Sequence, residues 1–301
     1  MAGIKHAGSV VGNANGYGII DCIECGFIHM DPVPGPAELQ SVYAEEYYRD
    51  EKPLFIERVI EDLDWWRSVY DERLDFLESR LKDGRRSILD IGSGPGYFLK
   101  RGMERGWSGL GIEPSRQASA HAMTLGVEVI NGFFNKETAS GIKRKFDALH
   151  LSEVLEHVPE PDALLMEAAG LLSKGGVICC VVPNDFSPVQ KVLTDRLGFG
   201  QYWLAPPHHV NYFSFESLSA LLERSGFRVV GRTSMFPIDL FLLMGDNYVG
   251  NDSLGRECHA RRKRLDLLLN EPGLAGFKKE MYELMARHGI GREMVIYGVR
   301  E

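Results

Sequence analysis

Phe55, Val59, Leu63, Trp66, Tyr70, Leu74, Leu77 and Leu81 recur every three to four positions, so they share one helical stripe, which Asp83 and Gly84 end. Leu39, Val42, Tyr43 and Tyr47 predict a helix before it. From Ser87 the texture changes. ILDIG (88–92), LGIEP (110–114), VEVIN (127–131), FDALHLS (146–152) and VICCVVPN (177–184) predict strands, with helical runs at 97–106, 115–125 and 161–172 between them. Such alternation predicts an α/β fold, a parallel sheet with helices on both faces. A helix at 188–197 follows, then an aromatic segment at 199–213. Next come a helix capped by Ser214 with Leu218, Leu221 and Leu222 on one face, and a strand at 227–235. Residues 238–288 read as a helical insertion whose RRKR at 261–264 is a solvated face, and EMVIYGV (293–299) closes the sheet. The first 35 residues, rich in Gly, Asn and Pro, hold one compact apolar piece from Gly16 to Met30. The expected division is therefore an appendage at 1–84, knuckle-like and then helical, and an α/β domain at 85–301.

Composition narrows the function. Thirty-four basic residues against 42 acidic ones give a formal charge of −8, and no long basic run could neutralise many phosphates. Nucleic acid and anionic membrane are thus not expected partners. No stretch reaches the roughly 18 apolar residues of a bilayer helix, and MAGIKHAGSVVGNANG lacks the apolar core of a signal peptide, which predicts a cytoplasmic chain. Five cysteines agree with this, since an odd number with Cys179 and Cys180 adjacent in a strand is packing rather than a disulfide framework.

The run ILDIGSGPGYF carries the chemistry. Asp90 ends a strand, and Gly92, Gly94 and Gly96 form the turn that opens a helix, where bare backbone and unpaired N–H groups can meet a ligand. Glu113 ends the next strand, where a carboxylate can accept bonds from two ribose hydroxyls. A dinucleotide fold wants G-x-G-x-x-G, whereas Tyr97 stands where the third glycine would be.

With these features the sequence resembles the class I S-adenosylmethionine-dependent methyltransferases, whose first motif is D-x-G-x-G-x-G and whose second strand ends in an acidic residue. The resemblance runs from about Ser87 to Glu301: FDALHLSEVLEHVPEP matches the fourth strand and the helix start after it, LLSKGG the turn before the fifth, and GFRVV the sixth. It implies a Rossmann-like seven-stranded, mostly parallel sheet with an antiparallel last strand between the fifth and sixth. It also implies that Asp90, Gly92, Ser93, Gly94 and Gly96 surround the methionine half of the cofactor and that Glu113 holds the ribose. Asn131, Gly132 and Phe133 would then border the adenine, and Ser152 and Glu153 the floor near the sulfonium.

Glu153, Glu156 and His157 follow the fourth strand at helical spacing, similar to the E-V-x-E-H-V of ubiquinone-biosynthesis O-methyltransferases. That resemblance implies an acceptor-side role and, in some members, a divalent metal on Glu153, Glu156 and His157. His157 can instead act alone as a general base, or the cluster can be a capping network. FGQYWLAPPHHVNYFS (199–214) places His208 and His209 among aromatic residues, similar to a P-P-x-H-x-x-x-F run in a group that includes sugar and natural-product methyltransferases. These two histidines are the competing candidates for the catalytic base.

Cys22, Cys25 and Gly26 form half of a zinc knuckle followed by DPVP, and no cysteine precedes them. His6 and His29 are the other donors at hand, and the reading favours a knuckle that has lost its metal. The sequence thus predicts methyl transfer from S-adenosylmethionine to an oxygen, with nitrogen second, of a small organic acceptor. The rivals are a nicotinamide-dependent oxidoreductase and a non-catalytic methyltransferase-like binding subunit. A homo-oligomer is compatible with either.

Overall fold

The computed structural model describes residues 6–35, 54–82 and 84–301. The helix expected through Leu39, Val42, Tyr43 and Tyr47, and the stop at Asp83, lie outside them. Gly16 to Met30 does form a hairpin, within a small sheet: β1 (Gly8–Ala14), β2 (Tyr17–Cys22) and β3 (Phe27–Asp31) run antiparallel in that order.

The large sheet is built from β4 (Ser87–Ile91), β5 (Ser108–Glu113), β6 (Val129–Asn131), β7 (Phe146–Ser152) and β8 (Leu172–Pro183). A two-residue strand, β9 (Asn211–Tyr212), extends the small sheet instead, beside β3; β10 (Phe227–Ser234) and β11 (Glu293–Arg300) return to the large one. Its order is β10-β11-β8-β7-β4-β5-β6, with β11 antiparallel to both neighbours and the other pairings parallel. The seven-stranded sheet with an antiparallel last strand is thus present in the expected order. β8 begins earlier than predicted, because Leu172 already pairs with Phe146 ahead of an irregularity that precedes the apolar run.

Period-two alternation assigns each strand's side chains to opposite cores. Leu89, Leu149 and Cys180 join one buried cluster, while Ile88, Ala148 and Cys179 join the other, so the two cysteines pack as read. The second cluster also takes Leu74 and Leu77, so the helix assigned to the appendage packs directly on the sheet.

The stripe from Phe55 to Leu81 is two helices, α1 (Phe55–Glu61) and α2 (Leu63–Arg80). Asp62 breaks it and accepts hydrogen bonds from His259 (2.9 Å) and from Lys263. The sheet's crossovers are α3 (Tyr97–Glu104), α4 (Arg116–Thr124), α5 (Lys136–Gly141) and α6 (Pro161–Leu171). Then come α7 (Pro188–Leu197) and α8 (Phe215–Arg224), both opened by serine capping boxes, and α9 (Leu240–Leu243), α10 (Asp252–Leu268) and α11 (Ala275–Arg287). The RRKR of α10 is solvated only at Arg261 and Arg264: Arg262 is buried with its guanidinium 4.8 Å from the Trp65 ring centre, and Lys263 pairs with Asp62. Trp65 also packs with Met235 and His259, and a guanidinium can stack on such a ring without losing all its partners. Among the described residues no helix is long and apolar enough to cross a membrane.

Candidate active site

A cavity of about 1200 Å³ opens at the carboxyl ends of β4, β5 and β7. There the strand order turns back from β4, which is where parallel sheets place ligands. Asp90, Gly92, Ser93, Gly94, Glu113, Gly132, Phe133, Ser152, Glu153 and His157 all line it. Two residues expected at the cofactor, Gly96 and Asn131, are not among those lining the cavity. Gly96 is the N-cap of α3, where a side chain would strike Ala122 at 2.6 Å. Asn131 donates to the carbonyls of Glu113 (2.9 Å) and Pro114 (3.2 Å), holding the end of β5 in place.

The glycine turn has the predicted bare backbone. Gly92 has φ +73° and a Cβ there would meet Val154 Cγ2 at 2.5 Å, and Gly94 has φ +52°. Ser93 Oγ is buried against Gly111 of β5 with no hydrogen-bond partner among the described residues. Glu113 ties this turn to the next one: its carboxylate accepts from Gly94 N and Ser115 N, both at 2.8 Å. Each oxygen keeps a second lone pair for a ligand hydroxyl. Burial pushes this carboxyl up to about 7, against the pull of the two backbone bonds.

Beside Asp90 lies a buried relay that motif reading missed. Arg73 Nη1 donates to His150 Nε2 (3.2 Å), and His150 Nδ1 lies 2.7 Å from Asp90 Oδ1. An arginine cannot accept, so His150 carries its proton on Nδ1 and donates it to Asp90. Phe98 stacks on the imidazole at 3.8 Å. The available signal was a histidine in the middle of an otherwise apolar strand.

On the acceptor side Glu153 follows β7 with φ +55° and lines the cavity. Burial of each group, and after it the nearby Glu153 carboxylate, hold the Glu156 carboxyl well above the usual range and push Glu293, also on the cavity wall, up to about 7. Leu155–His157 form a 3-10 turn rather than an α-helix, and Glu156 Oε1 lies 3.8 Å from His157 Nε2. The possible metal donors within 4.8 Å of one another are instead on Glu156, His157 and His209, and Glu153 lies outside that group.

His157 Nδ1 donates to the His208 carbonyl (2.8 Å), which leaves Nε2 as the basic nitrogen. His208 and His209 are not among the residues lining the cavity. Their loop is turned away because β9 pairs with β3 and Tyr212 packs with Ile19, Met30 and Val210. The expected aromatic wall is supplied by Phe55, Trp66, Tyr70, Phe98, Phe133 and Phe134, with Arg262 reaching in from the helical insertion.

A family model, methyltransferase domain, matches residues 63–231, more than half of the chain. The chain belongs to this family. Its class I, S-adenosylmethionine-dependent character, read from the glycine turn and Glu113, stands. A ubiquinone biosynthesis O-methyltransferase of Alkalilimnicola ehrlichii is 36% identical over 111 residues, 35% of this chain and 44% of that protein. The C-methyltransferase NovU of Streptomyces niveus is 27% identical over 146 residues, 48% of this chain and 33% of that protein. The chain thus spans less than half the length of these relatives. Among solved structures, the plantazolicin methyltransferase BamL shares the fold with a TM-score of 0.53 at 16% identity, over 87% of this chain and 97% of that one.

Proposed function

We propose that this chain methylates an oxygen of a small organic acceptor, using S-adenosylmethionine as donor and His157 as the base. The observation that carries the reading is the placement of His157. Its Nδ1 donates to a backbone carbonyl, its Nε2 lies 3.8 Å from Glu156 Oε1, and the residue borders the same cavity as the glycine turn and Glu113.

The cofactor supplies an electrophilic methyl. The chain's own task is then alignment and removal of one proton. Asp90, Ser93, Gly94 and Glu113 hold the donor at the strand ends. Trp66, Tyr70 and Phe133 form apolar walls that exclude water from an organic acceptor, and Nε2 of His157 takes the acceptor's proton. Labelled methyl offered with phenols, anilines and β-dicarbonyl compounds tests the acceptor class. Ether products support the reading, and label confined to nitrogen or carbon overturns it.

Glu113 gives this reading a pH signature. The ionised carboxylate accepts ribose hydroxyls, and protonation removes an acceptor, so affinity for S-adenosylhomocysteine weakens as pH falls through about 7. Glu113→Gln lowers affinity at higher pH by about 1.5–3 kcal/mol and flattens the profile. Calorimetry across pH checks this, and an unchanged slope in the variant would assign the titration elsewhere.

A further inference from the structure

We propose that His6, Cys22, Cys25 and His29 bind one zinc ion in a tetrahedral Cys2His2 site that fastens the small sheet. The expectation of an emptied knuckle rested on two missing ligands, and the fold supplies both. The donor atoms of all four residues lie within 4.8 Å of one another, and both cysteines and His29 are buried. His6 Nδ1 is 3.6 Å from Cys22 Sγ and 3.4 Å from Cys25 Sγ. Zinc bonds of about 2.3 Å to sulfur and about 2.0–2.1 Å to nitrogen set tetrahedral S···N edges of about 3.5 Å, the spacing found.

Both sulfurs lie near His6 Nδ1, and Cys22 Sγ also donates to Glu24 Oε2 at 3.4 Å, so the assignment rests on the geometry of the donor set and on His29. His29 adds an independent observation. Its Nδ1 lies 2.8 Å from the Met30 carbonyl, which can only accept, so the ring proton sits there and Nε2 keeps its lone pair. With His29 only 1% exposed, Nε2 has no hydrogen-bond partner among the described residues. A carbonyl that fixes the tautomer and turns the other nitrogen to a metal is a common outer-sphere arrangement of ligating histidines. Two thiolates would also neutralise the dication, so the buried site would carry no net charge.

Local structure explains why residues from three segments meet. Gly26 N bonds back to the Cys22 carbonyl (2.9 Å), closing the turn between β2 and β3 and turning both thiols to one side. Ile23 N bonds the Ala7 carbonyl (2.9 Å), and Ala7 N bonds Glu24 Oε2 (2.8 Å), which brings His6 onto the knuckle. His29 pairs with Asn211 of β9, and Asn211 donates to the carbonyls of Leu155 and Val158 on either side of His157. The metal would therefore set the strand against which the acceptor side is braced, while the glycine turn and Glu113 lie apart from it.

The test needs no acceptor and is independent of the methyl-transfer reading. Elemental analysis of protein purified without chelator is expected to find about one zinc per chain, lost in Cys22→Ser and in His29→Ala. After stripping, cobalt(II) is expected to give the intense visible bands of a tetrahedral thiolate site, absent in Cys25→Ser. Melting temperature falls on stripping, while affinity for S-adenosylhomocysteine holds. Wild-type protein with little zinc and no tetrahedral cobalt spectrum overturns the proposal, as does zinc that survives both Cys22→Ser and His29→Ala. If a variant does not fold, the wild-type metal content and cobalt spectrum still decide.

Discussion

His157→Ala is expected to slow methyl transfer by about 100-fold or more and leave affinity for S-adenosylhomocysteine nearly unchanged, the effect of losing a positioned base. The two readouts separate because His157 follows β7 on the acceptor side, whereas the donor is held by the turn after β4 and by Glu113. His208→Ala should slow turnover far less, because His208 holds His157 through its main-chain carbonyl, which the substitution keeps. His209 stands 5.0 Å from the His157 ring and shares the donor cluster with Glu156. Single-turnover assays of all three variants, with and without a chelator, separate the cases. Chelator sensitivity that persists in Cys22→Ser assigns a metal to Glu156, His157 and His209, and a loss confined to His209→Ala moves the base to the loop.

Gly94→Val is expected to abolish cofactor binding. The residue holds φ +52°, a conformation that costs a side-chain-bearing residue roughly 1–2 kcal/mol and a β-branched one more. Its N–H is the group that Glu113 grips at 2.8 Å, so straining this peptide also releases the ribose carboxylate. Valine would in addition project into the cavity where backbone must approach the donor. Equilibrium dialysis with labelled S-adenosylhomocysteine checks this, alongside a melting curve to show that the fold survives. Equal affinity in variant and wild type would remove the turn from the cofactor site.

The strands and the glycine turn were legible because each rests on local signals, β-branched runs, caps, and glycines where positive φ is needed, whereas the order of the sheet came from the family resemblance those motifs carry. What sequence reading missed depends on contacts between distant segments. Arg73, His150 and Asp90 form a relay across 77 and 60 positions of chain, which no spacing rule encodes. β9 is two residues long and exists only because β3 offers an edge. That pairing turns His208 and His209 away from the cavity they were expected to line. Arg262 reads as one of four surface cations until Trp65 covers it. Asp62 looks like a polar position within one stripe, yet its contacts with His259 and Lys263 divide the helix. His6 and His29 stood in view as donors, but only the hairpin's register brings them to Cys22 and Cys25.

Calorimetric titration of the purified protein with S-adenosylhomocysteine tests the central claim most directly, since the roles of the glycine turn, Glu113 and His157 depend on that ligand occupying the cavity at the ends of β4 and β5. The predicted result is one site per chain, strong above a pH of about 7, weakened below it as Glu113 protonates, and undisturbed by excess NAD. Absence of binding by S-adenosylhomocysteine, together with saturable binding of NAD, would contradict the account.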